Sequence, residues 1–430
     1  MTAAIRKGDT PVPNAISESS PDSNLVIDPV PTGWKNYYLG DVAQRVKDTH
    51  SPSDNGETAY LGLEHLVQGF PSLTGQGIES DVRSSKTAFK AGDVLFGKLR
   101  PYLRKGARPD FDGICSTDII VMRGKEICDS DFLKYLIHAD PFIEYAKATT
   151  TGVQHPRTSW PSLNRFRLSL PPLPEQEKIA HNLSTVQRAI EEQERIIQTT
   201  SELKKALMHK LFTEGPRNEP QKQTEIGPVP ESWEVVRCEE VCETTSVGIV
   251  VQPTQYYVPS GVPALRSQNV RVDRMQMEPM VYISEAANNG PVAKSKLRTG
   301  DVLIVRTGAN LGMSCVLPEK FDGCNCIDML FIRTIPSRLN GSFLSRYINS
   351  EEAKKQVGAG KTGMAQPHFN VGTVKRIFVP LPPLKEQNEI VRCLEQIDQK
   401  HDQAVARRHA LRDLFRTLLH DLMTAKTRVT

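Results

Sequence analysis

Two kinds of apolar pattern alternate along the chain. Between about residues 25 and 170, short β-branched runs such as DVLFG (93–97) and DIIVM (118–122) are separated by Gly-rich turns. One stretch, SDFLKYLIHADPFIEYAKA (130–148), has helical spacing. This mixture predicts an α+β globule. From 171 the apolar positions recur every three or four residues: Ile179, Leu183, Val186, Ile190 and Ile197, then Leu203, Leu207 and Leu211 after a shift of phase. The order repeats, with a second mixed region over 225–380 and a second stripe from 381. That stripe runs Ile390, Leu394, Ile397, Ala404, Leu411, Phe415, Leu418 and Leu422, with His401 and Arg408 as polar interruptions. Such stripes predict coiled-coil helices. Each helix would run nearly forty residues, or about 57 Å at about 1.5 Å per residue, which outruns a globule of this size. The simplest partner for one helix is therefore the other.

The chain is in fact written twice. LPPLPEQEKI (170–179) returns as LPPLKEQNEI (381–390), with seven identities in ten at an offset of 211. FDGICSTDIIVMRG (111–124) pairs with FDGCNCIDMLFIRT (321–334), AGDVLF (91–96) with TGDVLI (299–304), and VPTGWKNYYLGDVA (30–43) with VPESWEVVRCEEVC (229–242). The offset grows from 199 at the tryptophans to 208, 210 and 211, so the copies differ in length mainly in their first halves. Internal repetition of this kind defines the architecture: a tail (1–24), a first globule (25–170), a first long helix (171–215), a linker (216–224), a second globule (225–380) and a second long helix (381–430). The double proline before each helix supplies an N-terminal stop, and the following Glu suits the positive helix end. With antiparallel helices the expected fold is a pseudo-two-fold α+β molecule, its globules at opposite ends of a rod.

Composition narrows the chemistry. The chain has 38% hydrophobic and 24% charged residues, as an ordinary globular protein does. No apolar run approaches a membrane span, and the N-terminal residues, rich in Ser, Pro, Asp and Asn, lack a signal-peptide core. A cytoplasmic protein with a flexible tail is the expectation. A net charge of +4 permits nucleic-acid binding without arguing for it. The eight cysteines include the pairs Cys238/Cys242 and Cys324/Cys326, but neither has a second half at zinc-site spacing, which favours reduced structural thiols over metal. Gly360-Lys361-Thr362 looks like part of a phosphate loop. However, Lys355 stands where the first glycine belongs, and a charged, helix-favouring stretch precedes it in place of a strand. The repeated acids Asp93/Asp301 and Asp112/Asp322 sit beside glycine, where turn chemistry is expected more than catalysis.

Two diverged globules held a fixed distance apart suit a reader of two half-sites on duplex DNA, which recur on one face about every 34 Å. The doubled Leu-Pro-Pro-Leu-x-Glu-Gln helix starts, the lead-ins TTTGVQHPRTSWPSLNRFRLSLPP and GKTGMAQPHFNVGTVKRIFVPLPP, and the GDVL turns resemble the specificity subunits of type I restriction-modification systems over nearly the whole chain from residue 25. The resemblance implies two target recognition domains, each binding one half of a bipartite DNA site, and conserved helices that set the spacing. It also implies docking of two modification subunits, which methylate adenine with S-adenosylmethionine, and of restriction subunits with an ATP- and Mg-dependent motor. The chain itself is expected to be non-catalytic and to bind no cofactor, since it has neither an Asn/Asp-Pro-Pro-aromatic motif nor a nuclease-type acidic-x-Lys pattern after Pro109-Asp110. The alternative is a coiled-coil scaffold that binds only proteins.

The candidate DNA-contacting residues fall in three groups. FGKLRPYLRKGARP (96–109) gathers Lys98, Arg100, Arg104, Lys105 and Arg108 around Tyr102. In the second copy, LRSQNVRVDR (265–274) and VRTGANLG (305–312) offer Arg266, Gln268, Asn269, Arg271, Arg306 and Asn310. The repeated Thr-Gly loop offers Gln154, His155 and Arg157 in one copy and Lys361, Gln366 and His368 in the other. Gln and Arg are suited to A and G edges, Lys and His to phosphates. The same loop equally suits a turn that closes the domain, and basic clusters are often solvated faces.

Overall fold

The structure, a computed structural model, describes residues 25, 27, 29–308, 310–358 and 370–429. The chain divides into two compact units, one drawn from Met1–Glu192 with Arg408–Thr430 and the other from Gln193–Arg407. The two long helices run Leu173–Thr213 and Leu384–Met423, and each contributes one half to each unit.

In the first unit an antiparallel sheet is ordered Ala43–Arg45, Ile119–Gly124, Val94–Gly97, Gly106–Ala107. In the second unit the sheet Cys242–Val247, Met329–Thr334, Val302–Val305, Ser314–Val316 has the same order and sense. Both units also contain a parallel strand pair, Ala59–Leu61 with Gly113–Cys115 and Val262–Leu265 with Asn325–Cys326. Around that pair the copies differ. Lys86–Phe89 flanks Gly113–Cys115 in the first unit, whereas the second unit inserts a short helix, Glu285–Asn289. This is the region in which the repeat offset grows.

The repeated residues turn out to be structural hardware. Trp34 Nε1 donates to Glu175 of the first LPPLxEQ motif at 3.0 Å, and Trp233 Nε1 donates to Glu386 of the second at 2.9 Å. Gln176 and Gln387 are fully buried clamps. Each donates to the proline carbonyl five residues back and to the carbonyl of Ile127 or Arg338, and each accepts from the backbone N–H of Asp129 or Asn340. Asp129 and Asn340 in turn cap the helices Ser130–Leu136 and Gly341–Asn349. An arginine just beyond each long helix completes the bracket. Arg428 makes a bidentate pair with Glu175, and Arg217 reaches Glu386 at 3.9 Å. The acids of the GDVL turns belong to the fold as well: Asp93 and Asp301 accept from Lys90 N and Arg298 N and pair with Arg123 and Arg333.

The helical seam is shared between partners. Ile179, Leu183 and Ile190 are buried in the first globule's core together with Phe415, Leu419 and Leu422, with Val186, Leu411 and Leu418 packed at its edge. Ile390 and Leu394 belong to the second globule's core with Met208, Leu211 and Phe212, and Ile397 is also buried. Helix-on-globule and helix-on-helix packing therefore coexist. Antiparallel pairing is explicit in the second unit, where Thr200 meets His401 and Lys204 meets Asp398. One seam assignment changes. Leu203 is 52% exposed, whereas Leu207 and Leu211 pack on the second core as expected, and the inward face is completed by Thr200, Lys204, Met208 and Phe212. Two of these are polar, which hid the stripe from a count of apolar residues. Residues 216–224, expected as a linker, contain the strand Gln221–Thr224, which forms a hairpin with Gly227–Pro230.

Candidate nucleic-acid interface

In the first unit three distant segments meet. The connection between strands Val94–Gly97 and Gly106–Ala107 forms a short turn, Pro101–Leu103, flanked by Arg100 and Arg104 with φ of 51° and 50°. The Thr-Gly loop follows the helix Asp140–Ala148 and is closed by reciprocal bonds between Thr151 and Arg157, 2.9 and 3.0 Å. Gly152 allows the reversal with φ +90°. The two segments are stitched together by Arg100 N to Pro156 O (2.8 Å) and Thr158 N to Lys98 O (3.1 Å), and Lys98 N reaches Asp118 O (2.9 Å). Asp118 then grips the Arg157 guanidinium through both oxygens, at 2.9 and 3.2 Å. Hydrogen bonding to Arg157 holds the Asp118 carboxyl below its usual range.

The patch that results is narrower than the sequence implied. Arg100, Gln154 and His155 are exposed, Tyr102 is half-exposed and Lys98 is half-buried. Arg100 makes no ion pair among the described residues. Other candidates are taken up by the fold. Arg104 pairs with Asp140, Lys105 Nζ donates to Leu63 O, Arg108 lies 3.6 Å from Asp131, and the Arg157 fork is occupied by Asp118.

The second unit keeps the acid at the end of the equivalent strand and changes its partner. Asp328, the 210-offset counterpart of Asp118, pairs with Arg306 at 3.0 Å, so its arginine comes from the strand connection and not from the Thr-Gly loop. Ile327 N donates to Leu265 O and brings the 266–269 turn alongside. Asn269 is fully buried. Its side-chain oxygen accepts from Arg266 N, and its amide donates to the carbonyls of Gln276 and Pro279, leaving no free edge for a base. Gln268 also donates to Pro279 O, and Arg271 is turned onto the carbonyls of Gln268 and Val270. Arg266 and Asn310 remain half-exposed, and Arg266 makes no ion pair among the described residues. Lys361, Gln366 and His368 lie outside the described residues.

Asp118 and Asp328 were missing from the sequence-based set. Their common place in TDIIVM and IDMLFI was the available signal.

Behind the first patch His138 is buried, with Nε2 donating to Gly106 O at 3.1 Å and Nδ1 without a partner among the described residues. Burial pushes its pKa down to about 4, and the charges of Arg104 and Lys134 push in the same direction. The unfolded chain therefore takes up a proton near the ordinary histidine value, about 6.5, before the folded chain does. Stability contributed by the neutral ring is complete above that pH and is lost as pH falls towards 4, by about 1.4 kcal/mol per unit. Urea unfolding of the full chain between pH 7 and 4.5 should show this slope, and His138→Asn should remove it. Glu79, held down to about 2 chiefly by a hydrogen bond from Thr58 and then from His50 and Ser53 N, acts in a lower window.

Among the described residues no group of three or more His, Cys, Asp or Glu side chains is arranged to hold a metal. The cysteines are free thiols. No described helix is long and apolar enough to cross a membrane.

The family model described as the type I restriction modification DNA specificity domain matches twice, over residues 31–199 and 230–408. The MjaVIII specificity subunit of Methanocaldococcus jannaschii is 25% identical over 418 residues, covering 93% of this chain and 94% of that subunit. The EcoDI specificity subunit of Escherichia coli is 28% identical over 162 residues, 37% of this chain and 36% of that subunit. Among solved structures, the type I restriction-modification S subunit from M. genitalium superposes with a TM-score of 0.58 at 14% identity, covering 90% of this chain and 96% of that one. A chain from a study of complex assembly and conformational transition of the type I R-M system gives 0.53 at 24% identity, with 92% and 98% covered. These likenesses lend no support to a scaffold that ignores DNA. With the specificity domain matched in both halves and the fold repeated in both units, the chain belongs to the family of type I restriction-modification specificity subunits.

Proposed function

We propose that this chain is the DNA-reading part of a type I restriction-modification complex, in which each globule reads one half of a bipartite site. Acting in the cytoplasm, it docks two modification subunits and the restriction subunits on its helices. S-adenosylmethionine, ATP and Mg are used by those partners, and this chain contributes only recognition and spacing. The observation that carries the reading is the combination of one fold repeated twice with divergent chemistry on the equivalent surface loops. In the first globule Arg100, Lys98 and His155 neutralise phosphates, and Tyr102 and Gln154 meet base edges. In the second globule Arg266 and Asn310 take these roles, together with Lys361, Gln366 and His368.

Methylation-aware long-read sequencing of the host genome with and without the gene tests this directly. A split adenine-methylated motif should vanish on deletion, and exchanging residues 25–170 for those of another specificity subunit should change one half of the motif only. A motif that survives deletion would remove the chain from the reading role.

A further inference from the structure

The apex of the Thr-Gly loop carries a side chain that the fold does not use. Val153 is 99% exposed, between Gly152 and the exposed pair Gln154 and His155. A solitary exposed apolar residue is common and by itself means nothing. What distinguishes this one is its mounting. The loop beneath it is closed by the two Thr151–Arg157 backbone bonds, joined to the neighbouring Arg100 segment through Pro156 O, and tied by Arg157 to both oxygens of Asp118. A carboxylate on a surface that meets phosphates would repel them. Here its charge is matched by the arginine it positions. The loop is therefore held in shape before any ligand arrives, and it presents methyl groups at its tip with hydrogen-bonding side chains on one side.

The major groove offers one apolar feature to such a tip, the C5-methyl group of thymine. We infer that Val153 is a specificity-determining residue that recognises a thymine methyl in the half-site bound by the first globule, with Asp118 and Arg157 as positioning residues that hold the loop. The inference rests on the DNA-reading role proposed above and adds to it a chemical identity for one base.

The test is a cycle between two methyl-bearing groups, one on each molecule. The full chain, assembled with its modification subunits, is titrated with duplexes carrying the methylome-defined site. Each thymine of the first half-site, on either strand, is replaced in turn by deoxyuridine, which removes only the methyl. One replacement should weaken binding about fourfold, the worth of a single buried methyl group. In Val153→Ser, whose exposed position leaves folding untouched, that same replacement should change nothing. Asp118→Asn, which releases the Arg157 charge, should lose the same thymine preference while the salt dependence of binding becomes steeper and not shallower. A half-site without an A·T pair overturns the inference, as does a series in which no thymine couples to Val153. Weakened assembly with the modification subunits in Val153→Ser, without thymine coupling, would make the tip a protein contact and overturn it too. Failure of the underlying reading looks different: Arg100→Ala and Gln154→Ala would then also leave affinity for the half-site unchanged.

Discussion

Replacing Arg346 by alanine should destabilise the Gln193–Arg407 unit by about 3–5 kcal/mol, the loss typical of removing one partner from a buried ion pair. Arg346 is 7% exposed and bonds Asp398 at 2.8 Å and Asp273 at 3.4 Å; Lys204 from the first long helix bridges the same two acids at 2.6 and 2.8 Å. Asn349 donates to the remaining oxygen of Asp273 at 2.7 Å. The quartet is neutral as a whole, so removing Arg346 leaves two carboxylates, one of them the 7%-exposed Asp273, sharing one lysine. Urea unfolding followed through Trp233, the only tryptophan of this unit, reads the change. A loss below about 1 kcal/mol would put the quartet among solvent-screened surface pairs.

Phe415→Ala should cost a similar amount, about 3–5 kcal/mol, in the other unit, through loss of buried area and the cavity left behind. Phe415 packs on Phe70 and Tyr135 with ring centroids 5.2 and 6.0 Å away, and Tyr135 OH donates to Gln187 at 2.8 Å. Unfolding followed through Trp34 and Trp160 should show this loss to be the same at low and high salt, because no charge is removed.

These two sites occupy the same place in the repeat. At the offset of 211, Phe415 corresponds to Lys204, Tyr135 to Arg346 and Gln187 to Asp398, while Phe70 and Asp273 hold equivalent turns against the helices. One copy fastens its globule to the helix pair with aromatic rings and the other with ions. The backbone arrangement tolerates both because either set fills the node and leaves no charge unpaired.

The sequence by itself determined the repeat, the α+β class, the two long helices and the family. Those features rest on short windows: a double proline before a helix, a recurring Leu-Pro-Pro-Leu-x-Glu-Gln motif, and β-branched runs between glycines. What only the tertiary structure decided is which polar side chains remain available to a ligand. Arg104, Arg157 and Arg306 look alike in a basic stretch, but each is claimed by an acid that the fold brings from elsewhere, namely Asp140, Asp118 and Asp328. Asn269 looks like a reader of adenine and is a buried brace. Lys204 lies in the helix seam where Leu203 was expected, because two carboxylates from distant elements neutralise it there. The physical reason is common to all three cases. An apolar residue carries its preference for burial in its own side chain, whereas the role of a charge or an amide is set by its partner, and that partner lies far away in the sequence.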